Sequence, residues 1–360
     1  MTSAASLAGS LLLVGFPGTT LSTDLAAALR AGHRAGAILF RRNVETDAAR
    51  GANVEQVTAL LGAIRACTTD LPLVRAVDQE GGRVKRLGAP CLAVPAAAVL
   101  ARGGAALCEE AGAAVGLELA ALGFTLDFAP VLDVHSNEAN PIIGDRAFGT
   151  TPEAVASLAL AFARGLQRPG GVDGCGKHFP GHGDTDKDSH LELPVVSRDE
   201  ASLRALELAP FAAVHRELPA LMSAHVRYPA WDPELTATLS PRIATELLRT
   251  ELGFEGVLVS DDLEMKALPG QPEDHAVPAI AAGCDVLLVC SDEAAAARSF
   301  DELRREIERS PAFRARAEQA ALRMRRLRQR DNAPDLARFH AATAQHASLQ
   351  ARLASLLEAP

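Results

Sequence analysis

Aromatic residues are scarce in this chain of 360 residues: they make up 4%, with one Trp and one Tyr. That argues against a ligand surface built on stacked Trp and Tyr rings, so any sugar would be held mainly by hydrogen bonds. Basic charge is also in short supply. The formal net charge of −9 argues against nucleic acid or an anionic membrane as the main partner. The six cysteines (Cys67, Cys91, Cys108, Cys175, Cys284 and Cys290) form no C-x-x-C pair and sit mostly in apolar contexts. They read as buried thiols of a reducing compartment. No apolar run reaches the roughly 18 residues of a membrane span. The run Ala8–Phe16 has no Lys or Arg before it and no A-x-A site after it, so it reads as a first buried strand. The cytoplasm is the expected compartment. There is no G-x-x-x-x-G-K-[ST] phosphate loop, no internal repeat and no evident linker.

What is present is alternation. Eight short apolar runs (Ser10–Phe16, Gly36–Phe40, Leu73–Glu80, Phe124–Val134, Gly171–Phe179, Ala220–Val226, Gly256–Asp262 and Asp285–Cys290) are each followed by an amphipathic segment. Strand then helix, eight times over, predicts an α/β fold of the (β/α)8 TIM-barrel type. A doubly wound open sheet shares the alternation. The barrel is favoured because polar residues fall at the C-terminal end of nearly every run, and a barrel gathers all those ends at one rim. The expected division is a catalytic barrel over 1–310 and a helical extension over 311–360, packed on or beside it. The Arg-rich stretch Arg314–Arg330 reads as a solvated helix face.

The densest polar stretch is Lys177–Pro194, KHFPGHGDTDKDSHLELP, with three histidines and four acids in eighteen residues. Pro180, Gly181 and Gly183 exclude a helix there, and a long polar loop is the first place to look for chemistry. In its DSH segment, Asp188 stands two residues from His190 and could orient the imidazole and raise its pKa. His178, His182 and His190 as metal ligands are the rival reading, but they fit no standard zinc spacing. Asp261 closes the seventh run in VSDDL and could serve as nucleophile, base, metal ligand or helix cap. Only one of Asp261 and Asp262 is expected to face the barrel mouth, because successive strand residues point opposite ways. Asp78 and Arg86, in DQEGGRVKR, offer an acceptor and a donor to a polyhydroxylated ligand, and Arg146 in IGDRAFG is another possible contact. Each motif alone is equally compatible with a structural role.

As a set they resemble the family 3 glycoside hydrolases, and within them the bacterial β-N-acetylhexosaminidases of the NagZ type. The matching segments are ILFRRN, VDQEGGRVKR, DFAPVLDV, IGDRAFG, KHFPGHGDTDKDSHLELP, MSAHV and GVLVSDDLEMKAL, in family order between about Leu11 and Val289. The resemblance implies Asp261 as nucleophile and His190, paired with Asp188, as acid/base. It also implies Asp78, Arg86, Arg146, Lys177 and His178 as substrate contacts. The substrate it implies is a terminal β-linked N-acetylglucosamine on anhydro-muropeptides, cleaved by a cytoplasmic, monomeric enzyme without cofactor or metal. Phosphorylase or β-glucosidase activity on the same scaffold, a metal-dependent hydrolase and a non-catalytic sugar-binding protein are the alternatives. The tail beyond Glu308 and the insert Leu268–Val277 match no family motif.

Overall fold

The computed structural model describes residues 2–49, 51–68, 70–185 and 192–358. Eight strands carry it: β1 Leu12–Val14, β2 Gly36–Leu39, β3 Val74–Val77, β4 Leu126–Asp127, β5 Asp173–Phe179, β6 Ala220–Ser223, β7 Val257–Asp262 and β8 Val286–Val289. Each falls within one of the eight apolar runs. Each pairs in parallel with the next, and β8 closes on β1 through Leu12↔Leu287 and Val14↔Val289, so the sheet is a closed barrel. The fold is an α/β barrel of the TIM type.

Strand alternation sorts the side chains into two cores. Leu13, Ile38, Ala76, Met222, Val259 and Leu288 point into the barrel. Their chain neighbours, such as Leu12, Leu221 and Leu258, point out against the helices. Both faces are buried, which is why each run is continuously apolar rather than alternating. The interior cluster also includes Met324 and Leu327, from the helix Pro311–Leu327, which close the barrel's lower end. Beside them Arg75 is fully buried and donates to Gly123 O at 2.5 Å and Asn332 O at 3.0 Å, tying the chain beyond that helix under the sheet.

Three segments differ from the sequence-based expectation. The run read as one strand from Ala8 to Phe16 begins as a helix, Ala4–Ser10, whose N-terminus is capped by Ser3 Oγ accepting from Ser6 N at 3.1 Å. The segment Asp199–Glu217, which reads from sequence as one helix, is two short helices, Glu200–Ala205 and Ala209–Val214, because Pro210 has no N–H to continue the first. The last segment, which reads from sequence as one helix over about 334–357, breaks at His346 into Leu336–Gln345 and Ala347–Glu358. His346 Nδ1 lies 2.9 Å from the buried Glu118 Oε1, a partner that helix periodicity does not reveal. No helix among the described residues is long and apolar enough to cross a membrane.

Candidate active site

The inward parity of the strands continues past their apolar parts into the rim. Asp78 lies two residues beyond Ala76, Lys177 two beyond Cys175 and Cys290 two beyond Leu288. All three, with Asp261 at the end of β7, border a cavity of about 310 Å³ at the C-terminal mouth of the barrel. His178 follows Lys177 directly and alternation would turn it outward. Instead the β5–β6 register passes from Met222↔Lys177 to Ser223↔Phe179 and skips His178. An unpaired extra residue of this kind re-aims its side chain, and His178 joins Lys177 in the cavity wall. After β3 the chain doubles back as a small hairpin over Gln79–Gly81 and Val84–Lys85. Gly81, at φ 106°, passes Pro95 O so closely that a Cβ would lie 2.7 Å from it.

The cavity floor is a row of alternating charges. Arg86 donates to Asp78 Oδ2 at 2.8 Å, and Lys177 Nζ to Asp78 Oδ1 at 2.8 Å. Lys177 Nζ also reaches Glu80 Oε1 at 2.6 Å. Glu80 receives Arg146 as a two-pronged pair, Nε at 2.9 Å and a terminal nitrogen at 2.8 Å. Burial alone would raise the carboxyl pKa values. Lys177 and Arg86 hold Asp78 well below the usual range, and Arg146 and Lys177 do the same for Glu80. Burial would likewise strip Lys177 of its proton, but Asp78 and Glu80 hold its pKa above the ordinary value. At neutral pH every member of the row is charged.

The histidines hang on Asp133, at the end of the run that contains β4. One Asp133 oxygen lies 2.7 Å from His178 Nδ1, and the other accepts from His178 N at 3.1 Å and His182 N at 2.7 Å. His178 Nδ1 is therefore the donor, and Nε2, 3.5 Å from Arg146, faces the cavity side. His182 also borders the cavity. Its Nδ1 is 2.8 Å from Thr185 Oγ1, and burial, with His178 beside it, lowers its pKa to about 4. Glu80 and Asp133 were not singled out from sequence as site residues. Glu80 stood in DQEGG and Asp133 at a strand end, but neither position distinguishes a ligand-facing acid from a loop or strand acid.

The two aspartates of VSDDL separate by their partners. The pairing of β7 with β8 shifts from Val259↔Val286 to Asp262↔Leu288, so strict alternation ends there and both aspartates border the cavity, where only one was expected to face the mouth. Asp262 accepts from Glu264 N at 3.1 Å and Cys290 N at 3.3 Å, so its carboxyl is engaged by the strand end. Burial, then Glu264 and Asp261, push Asp262 up to about 7. Its carbonyl lies 3.0 Å from His225 Nε2, and His225 Nδ1 is engaged by Thr238 Oγ1 at 2.8 Å. His225 thus braces β7 and is not a wall residue of the cavity. Of the residues named from sequence, Asp78, Arg86, Arg146, Lys177, His178 and Asp261 surround one cavity. Asp188 and His190 lie outside the described residues.

Comparison with known proteins adds a family to this geometry. The family model "Glycosyl hydrolase family 3 N terminal domain" matches residues 8–327. A beta-hexosaminidase of Pseudomonas aeruginosa is 42% identical over 301 residues, covering 82% of this chain and 87% of that protein. One from Neisseria meningitidis is 43% identical over 267 residues, 71% of each chain. Among solved structures, a glycoside hydrolase family 3 beta-N-acetylglucosaminidase from Paenibacillus sp. superposes with a TM-score of 0.88 at 36% identity, covering 99% of this chain and 69% of that one. NagZ from Neisseria gonorrhoeae, solved in complex with N-trifluoroacetyl-D-glucosamine, gives 0.79 at 35% identity, with 96% and 97% covered.

Proposed function

Because the chain belongs to glycosyl hydrolase family 3 and is a glycoside hydrolase, we propose that it is an exo-acting, retaining β-N-acetylglucosaminidase. Its substrate in this reading is a terminal β-linked N-acetylglucosamine, carried by anhydro-muropeptides in the cytoplasm and cleaved by a monomer. The observation that carries the reading is the position of Asp261, at the end of β7 in the same cavity as Asp78, Arg86, Arg146, Lys177 and His178. The relatives' names and the N-acylglucosamine bound by the Neisseria gonorrhoeae protein support the choice of sugar.

In this mechanism the Asp261 carboxylate attacks the anomeric carbon as the bond to the leaving oxygen breaks. The imidazolium of His190, oriented by Asp188, gives its proton to that oxygen. Neutral His190 then takes a proton from water, which displaces Asp261 and returns the sugar with its configuration retained. The charged row beneath the sugar supplies donors (Arg86, Arg146, Lys177) and acceptors (Asp78, Glu80) to hydroxyls. Because each is already held by its neighbours, little ordering remains to be done on binding.

The test is release of 4-nitrophenol from its β-N-acetylglucosaminide and β-glucoside, with and without phosphate, by the wild type and Asp261→Ala. Selective hydrolysis of the N-acetyl substrate, lost in the variant, is expected. Sugar-1-phosphate formed only with phosphate would make the protein a phosphorylase, and turnover surviving in Asp261→Ala would refute the nucleophile. Release of N-acetylglucosamine from an anhydro-muropeptide, followed by chromatography, tests the natural substrate class.

A further inference from the structure

Away from the cavity, one buried acid has no part in the mechanism above. Glu207 sits in the break between the helices Glu200–Ala205 and Ala209–Val214 and is wholly buried. Its Oε1 accepts from Ser136 Oγ at 2.9 Å and its Oε2 from Gly183 N at 3.3 Å. Among the described residues it makes no ion pair. Burying a carboxylate with two neutral donors is costly, so its placement calls for a reason. Burial, with Asp133 and Asp184 adding to it, pushes Glu207 up to about 7.

Its two partners belong to different rim loops. Ser136 lies just after the Phe124–Val134 run that holds β4. Gly183 lies in the stretch Gly181–Thr185 that leads from β5 toward Asp188 and His190. That stretch presses directly on Glu207: a Cβ on Gly181 would lie 2.7 Å from both Glu207 Cβ and Oε2. The same loop that carries Ser136 carries Asn140, whose Nδ2 donates to His182 O and Gly183 O at 2.9 Å each. Tyr228 Oη donates to Gly181 O at 2.5 Å from a third direction. Glu207 is thus the buried joint between the loop after β4 and the stem of the loop after β5.

We infer that Glu207 is a positioning residue: by bridging Ser136 and Gly183 it sets the stem from which the acid/base histidine is presented to the leaving group. The inference rests on the proposed role of His190. Loss of Glu207 acts on proton donation to the leaving oxygen and not on sugar binding, so its signature is the dependence of rate on leaving-group acidity.

The experiment measures kcat/KM on a series of aryl β-N-acetylglucosaminides of graded leaving-group pKa, with wild type, His190→Ala, Glu207→Ala, Ser136→Ala and Glu207→Gln. Positioned acid catalysis is worth about 10²–10⁴-fold. Glu207→Ala is therefore expected to lose roughly 10- to 100-fold on the least reactive aryl glycoside and less than about 3-fold on the most reactive, a steeper slope. Ser136→Ala, which removes the joint from its other side, should steepen the slope in the same sense even if Glu207→Ala folds poorly. Glu207→Gln, which can accept from Gly183 N and donate to Ser136 Oγ, should restore the wild-type slope. A wild-type slope in Glu207→Ala and Ser136→Ala beside a steep one in His190→Ala would overturn the inference alone. A wild-type slope in His190→Ala would overturn the assigned acid/base and the inference with it.

Discussion

Replacing Lys177 with Met tests the charged row at its centre. The ammonium is almost completely buried and, among the described residues, is the one cation that touches both Asp78 and Glu80, at 2.8 and 2.6 Å. Met keeps most of the stem's volume and removes the charge, leaving each carboxylate with a single arginine. Breaking a buried pair by deleting one partner costs about 3–5 kcal/mol. At roughly 2.1 cal/mol/K of unfolding entropy per residue, 360 residues give about 0.75 kcal/mol/K, so the melting midpoint at pH 7 should fall by about 4–7 °C. The deficit should depend on pH in a defined sense. Asp78 and Glu80 have pKa values below their ordinary ones, so their contribution is present above about pH 4 and is lost as pH falls through the folded values. Without Lys177 those values rise, so the variant's deficit should be full at pH 7 and smaller at pH 4.5. Calorimetry at the two pH values, with kcat/KM measured at pH 7, makes the check. A loss under about 1 kcal/mol, or the same loss at both pH values, would refute the reading of the row as a coupled buried ion network.

Three further outcomes are expected. Asp133→Asn should weaken sugar binding and raise KM, because Asp133 fixes the His178 ring and two backbone amides; an unchanged KM would contradict this. Met324→Ala at the barrel's lower end should cost about 2–5 kcal/mol in denaturant unfolding while leaving kcat within about 2-fold, since the plug lies at the opposite end from the mouth. Glu207→Gln should change how stability depends on pH. The raised Glu207 pKa makes a contribution that is full below about 4.5 and lost as pH rises through about 7. This amounts to at most roughly 3 kcal/mol at 1.36 kcal/mol per pKa unit. The groups facing Glu207 (Asp133, Asp184, Arg198 and Tyr228) remain in the variant, so its melting temperature relative to wild type should rise between pH 5 and pH 8.

Much of this protein was readable from the chain because its information is local. Eight apolar runs, each bounded by polar rim residues, specify eight buried parallel strands, since a strand covered on both faces has no reason to alternate in polarity. The same periodicity of two carries from Cys175 to Lys177 and from Leu288 to Cys290, so these rim residues follow once the strand and its core face are known. Segments such as KHFPGHG and DQEGGRVKR name the residue types a sugar site needs.

Other features belong to the fold alone, because they depend on partners far apart in sequence. Whether His178 faces the cavity was decided by a register shift against β6, which no property of β5 announces. That Glu80 and Asp133 are site residues was decided by Lys177, Arg146 and His178 arriving from other strands and loops. The break at Leu206–Leu208 could have been seen in Pro210, but not that it turns Glu207 inward onto Ser136 and Gly183. Periodicity reports which face of an element is buried. Which charge meets which inside that burial is set by closure of the barrel, where long-range geometry and the cost of an unpaired buried charge select the partners.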